Sequence, residues 1–238
     1  MSERLNSAAF LRGVREAIGV PAGVLAASYV GFGALASTSG VSIGVVMVST
    51  VAMWALPGQL VMVDMWQIGA PLIAIVLAVM LTNARFLPMT LTLLPVIRDR
   101  SHPPWHYYFA AHGVAMTLWT ISMRRCPEMP AAERMAYFAG LASACIVVSA
   151  GAGAVGHLLA GSIPPLIQIG LVFLTPVYFF VFLVGEARSR LAGIALACGG
   201  LAGPLFYVLT PQWSVLVAGF AGGTVAFMLN KSLERKRV

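Results

Sequence analysis

An asparagine and an arginine stand two residues apart, shortly before a proline, in T-N-A-R-F-L-P at residues 82–88, within an otherwise apolar run. An ionised side chain at the centre of a membrane helix costs about 2.5–3.5 kcal/mol on insertion scales, so a guanidinium in such a run calls for a function. Arg85 stays charged and offers a planar fork of donors that fits a carboxylate, which suits it to an anionic substrate group. Asn83 offers an amide to a substrate amine or ion. Plainer alternatives stay open: Arg85 pairs with Asp64 or snorkels its head to the interface, and Asn83 only caps the break before Pro88.

A second polar group interrupts an apolar run at W-A-L-P-G-Q-L-V-M-V-D-M-W, residues 54–66. Gln59 follows Pro57 and Gly58, where a half-helix should begin or end. Half-helix termini facing a substrate carboxylate, with unwound carbonyls facing its cation, recur in transporters; a helix-to-helix hydrogen bond is the plainer role. Asp64 could carry a coupled proton or, beside Trp66 and Gln67, sit at the interface. His112 lies in another apolar run and could titrate or be held by a backbone carbonyl. Glycine-rich Y-V-G-F-G-A-L-A, residues 29–36, adds Gly33, where another helix or a substrate could approach the backbone closely.

Apolar segments must position these groups. The chain has 238 residues, 59% hydrophobic and only 10% charged, against about 25% charged in soluble domains. Runs of a length to span a bilayer fall at about 18–37, 44–66, 68–88, 135–159, 163–184, 191–209 and 213–229, with a shorter aromatic run at 105–123. Proline removes a helix hydrogen bond and clashes with the preceding turn, so breaks are expected at Pro57–Gly58 and at Pro88. Broken helices in a bilayer belong where they line a cavity.

The net charge of +7 does not call for nucleic acid, because the basic residues lie between the apolar runs. Their distribution places both termini in the cytoplasm. If every basic loop is cytoplasmic, segments 44–66 and 105–123 fold back without crossing. The expectation is therefore an all-α polytopic membrane bundle of six full spans plus two broken or re-entrant segments, with eight spans as the alternative, and one transporter domain over 1–238. Three unpaired cysteines give no disulfide framework or metal site. No nucleophile–base set, phosphate loop or dinucleotide fingerprint appears, so no enzyme and no cofactor is expected.

Y-V-G-F-G-A-L-A-S-T-S-G-V-S at 29–42, A-L-P-G-Q-L at 55–60 and T-N-A-R-F at 82–86 resemble the AzlC family of branched-chain amino acid permeases, most strongly over 15–95. Gly33, Gly40, Gln59, Asn83 and Arg85 match its pattern. Phe86 stands where the family has His, Leu56 and Pro57 replace part of an A-G-S element, and His112 and Gly113 stand where an acidic pair is expected. The resemblance implies export of branched-chain or related apolar amino acids across the bacterial inner membrane. It also implies proton coupling and a small, roughly four-helix AzlD-like partner subunit in the lipid bilayer. A channel or gated pore for a small solute, or a non-transporting membrane subunit, are the alternatives.

Overall fold

The computed structural model describes residues 2–99, 103–186, 190–209 and 214–235. Among them are twelve α-helices and no strand. They are α1 (Ser2–Ala17), α2 (Val20–Thr38), α3 (Ile43–Met53), α4 (Leu56–Gln67), α5 (Leu72–Asn83), α6 (Phe86–Ile97), α7 (Pro104–His112), α8 (Met116–Arg125), α9 (Ala131–Leu158), α10 (Pro165–Glu186), α11 (Arg190–Leu209) and α12 (Ser214–Arg235). The chain falls into two packed units, Met1–Thr175 and Pro176–Val238.

In the first unit α9 is the central column, with α1 and α2 packed along it. Glycines make the approach close. A methyl group on Gly13 would strike the Tyr137 carbonyl of α9, and one on Gly140 would strike the Phe10 carbonyl of α1. Gly33 lies against the Gly153 carbonyl, and Gly156 against the Val30 carbonyl. Such small-residue contacts let backbones meet where lipid supplies no hydrophobic drive between helices. Gly31 makes a similar contact with α10 beside Leu171. In contrast, Gly23, Gly203, Gly219 and Gly223, members of glycine pairs spaced four apart, meet no atom within 4 Å among the described residues.

Charged residues of the N-terminal stretch fasten one end of this column. Glu16 of α1 accepts from Arg125 Nε at 2.8 Å and from the Tyr137 hydroxyl at 2.8 Å. Its hydrogen bond and charge push the Arg125 guanidinium further up. Arg134 donates to the Val96 carbonyl at 3.0 Å, satisfying an acceptor in the last turn of α6 that has no intrahelical partner.

The breaks differ from expectation by a few residues, with one physical cause. The stop expected at Pro57–Gly58 lies at Trp54–Ala55, so both Pro57 and Gly58 belong to the first turn of α4. The proline ring clashes with the carbonyl four residues back, that of Met53, and has no N–H to offer it. The preceding helix must end there, whereas the proline fits a first turn whose N–H groups need no helical acceptor. Pro88 repeats the pattern: α5 ends at Asn83, α6 begins at Phe86, and the residue four back is Ala84. Trp54 makes the first turn with φ 37°, the one non-glycine residue with positive φ among those described.

The run from 68, expected to be interrupted at 82–88, is two helices, Leu72–Asn83 and Phe86–Ile97, bent by 49°. The run at 105–123 also divides, at residues 113–115, between α7 and α8. Among the described residues α2 and α9 are long and apolar enough to cross a bilayer, and the α5–α6 pair makes a third if taken as one span. Shorter apolar stretches fall at Ile43–Met53, Pro165–Leu174, Gly193–Leu209 and Val217–Leu229. In the second unit α11 and α12 pack together, with Gly222 against Cys198 and Gly199.

Candidate functional site

The α3–α4 break is held by a closed polar network around Gln59, which is 0% exposed. The Tyr29 hydroxyl of α2 donates to Gln59 Oε1 at 3.0 Å. Gln59 Nε2 donates to Ser49 Oγ at 3.1 Å and to Thr50 Oγ1 at 2.9 Å. Both hydroxyls donate onward to the Val46 carbonyl, at 3.1 and 2.7 Å, so their lone pairs face the amide. Each Gln59 amide hydrogen has an acceptor, and the direction of the amide is fixed by its neighbours. One residue past α3, the Trp54 indole donates to Ser149 Oγ of α9 at 3.1 Å, pinning the break to the central column.

His112 ends α7, and its Nε2 lies 2.7 Å from the Val51 carbonyl of α3. The break at Trp54–Ala55 deprives that carbonyl of a regular helical partner, and the imidazole replaces it. Two broken segments are therefore joined by a side chain that satisfies the backbone of one of them.

The second break meets the first at Asn83. A methyl group built on Gly58 would lie 2.6 Å from Asn83 Oδ1 and 2.8 Å from Nδ2, so the amide rests directly on the α4 backbone. Any side chain at 58 would displace the amide from this position. Asn83 Oδ1 is buried and has no hydrogen-bond partner, an exception that in a native site asks for a ligand, ion or water. Arg85 follows as the residue before α6, with its guanidinium carbon 5.2 Å from the Phe86 ring centroid, a cation–π distance.

The remaining candidates lie elsewhere. Asp64 is exposed on α4, six residues beyond Gly58, about 9 Å along the axis at 1.5 Å per residue. No ion pair joins it to Arg85, so among the described residues the guanidinium has no carboxylate partner. Gly33 is buried against α9. Asn83 and Gly58 thus join the two breaks, Arg85 stands exposed two residues further along, and Gln59 braces the adjoining backbone. Tyr29, Ser49, Thr50, Trp54 and Ser149 complete that brace and were not singled out by sequence. Their signal was faint: hydroxyls in apolar runs, with partners up to 95 residues away.

A partly open apolar groove of about 480 Å³ runs between the α2–α3 turn, α3, α4 and α5, walled mostly by exposed residues, with none of Gly58, Asn83 and Arg85 in its lining. Met53, Met62, Ile75 and Val79 are among its walls.

The sequence pattern described as "AzlC protein" matches residues 22–163, which include all three broken segments. The chain belongs to the AzlC family. Its membership relates this membrane protein to branched-chain amino acid transport. The match extends well past the 15–95 region in which motifs are legible, through α9, although α1, α10, α11 and α12 lie outside it. No curated protein and no solved structure matches the chain.

Proposed function

We propose that this AzlC-family protein is a secondary transporter that exports branched-chain or related apolar amino acids across the bacterial inner membrane. Arg85 binds the substrate carboxylate and Asn83 Oδ1 accepts from its ammonium group. The observation that carries the reading is the junction of the two breaks, where a buried, unpartnered amide oxygen lies two residues from a guanidinium without a carboxylate partner among the described residues. A zwitterion offers the two missing partners, a donor and an anion. Broken helices meeting at such a point are the recurring construction of secondary transporters.

In this reading Gln59 positions the break and does not touch substrate, because its amide hydrogens are already engaged. Gly33 serves the α2–α9 contact. Asp64 and His112 remain the candidates for proton coupling, the termini face the cytoplasm, and a small AzlD-like subunit completes the assembly. Six crossings satisfy the basic-loop distribution.

The test is efflux of radiolabelled leucine, valine and methionine from proteoliposomes holding this chain with its small partner, with and without an imposed proton gradient. Wild type should give gradient-dependent efflux. Arg85→Ala, at matched folded protein, should abolish it, and Arg85→Lys should recover only part because an ammonium lacks the bidentate fork. Efflux unchanged in Arg85→Ala would overturn the carboxylate assignment, and efflux indifferent to any gradient would favour a pore.

A further inference from the structure

We propose that the cavity between α3, α4 and α5 receives the substrate's apolar side chain, and that its methionine lining admits side chains larger than the branched aliphatic ones. This inference rests on the transport reading above and adds where the side chain goes and what limits its size.

The register of two helices carries the placement. Helices α4 and α5 pack against each other and are joined by a four-residue turn. The Gly58–Asn83 contact fixes their antiparallel alignment. From there, a turn forward on α4 matches a turn back on α5, so Met62 faces Val79 and Trp66 faces Ile75. All four line the cavity, and Met53 at the end of α3 adds another wall. The space therefore begins one helical turn beyond the polar junction and runs along the same seam. A zwitterion held at Asn83 and Arg85 would direct its side chain into it.

The volume and the lining set the substrate class. The groove of about 480 Å³ is partly open, its walls including the exposed Trp66, Leu72, Val76 and Met80, so it does not close tightly around the four carbons of a leucine side chain. Binding pockets commonly measure about 300–1,000 Å³ and are mostly apolar with a few polar groups at one place. Met53, Met62 and Met80 all contribute to the walls, and unbranched, polarizable thioethers adapt to ligands of differing shape. Methionine and phenylalanine should therefore be accepted with leucine and valine.

The experiment compares counterflow of valine, leucine, methionine and phenylalanine in proteoliposomes of wild type, Val79→Phe and Met62→Ala, each with the small partner. Wild type should move all four. Val79→Phe should lower phenylalanine and methionine transport at least tenfold relative to valine, since one methylene in an apolar pocket is worth about 10–200-fold. Met62→Ala should shift preference the other way, and decides the matter if Val79→Phe does not fold. A parallel change for all four substrates in the folded variants would overturn the pocket and identify the space as a lipid-filled groove. Rejection of phenylalanine and methionine by a wild type that moves leucine would overturn the size claim. A wild type that moves none of the four would bring down the transport reading, and this inference with it.

Discussion

Replacing Gln59 with methionine removes a buried amide while keeping its length, and its cost can be worked from the three bonds it makes. Interhelical hydrogen bonds in membrane proteins average about 0.6 kcal/mol, with a maximum near 1.7. Three of them, at 2.9–3.1 Å, give about 2 kcal/mol. Ser49 and Thr50 still donate to the Val46 carbonyl in the variant, but the Tyr29 proton loses its acceptor, and an orphaned buried hydroxyl adds about 1 kcal/mol or more. Gln59→Met should therefore destabilise by about 3 kcal/mol and Tyr29→Phe, which orphans Gln59 Oε1, by about 2 kcal/mol. The double variant should cost only about 2 kcal/mol, well below the sum, because the shared bond is lost once and both orphans disappear. Reversible unfolding of the purified protein in mixed micelles, followed by tryptophan fluorescence, measures all three. The reasoning fails if Gln59→Met is as stable as wild type yet inactive, with no coupling to Tyr29→Phe, for the amide would then meet substrate rather than brace the break.

Two other outcomes follow from packing and burial. Gly156→Leu and Gly33→Leu should abolish monodisperse folded protein in fluorescence-detected size exclusion, because each Cβ would overlap a backbone carbonyl across the α2–α9 contact, whereas Gly23→Ala, in open space, should elute as wild type. Cys126, in the turn between α8 and α9, has its thiol pushed up to about 11 by burial. At pH 7.5 it stays protonated and should label with a maleimide far more slowly in the folded protein than after denaturation in SDS, as quantified by intact mass. Equal labelling rates would refute a buried thiol.

The helical class and the junction residues were legible in sequence because both follow from local chemistry. A run of apolar residues must form helix in lipid, where every backbone polar group needs an internal partner. Arg85 and Asn83 were conspicuous because they are polar in such a run. Even the shift of both breaks to three residues before the prolines has a local cause, in the carbonyl four residues upstream of Pro57 and Pro88.

Other features depended on partners far along the chain. Spacing alone does not say which helix approaches Gly33, and only the arrival of α9 assigns the close approach, to Gly33 and Gly156. The charges ahead of the first apolar run carry no local sign of their partners, but Glu16 meets Arg125 and Tyr137, more than 100 residues on. By sequence Gln59 suited a substrate contact or a bond between helices; the packing brings Tyr29, Ser49 and Thr50 to both ends of its amide. The sequence by itself determined which segments are helical, where they must break and which polar residues they carry, since these depend on neighbours within one helical turn. Tertiary structure alone decided which polar groups are satisfied by protein and which, like Asn83 Oδ1, are left without a protein partner, because a hydrogen bond is completed by whichever helix packs alongside.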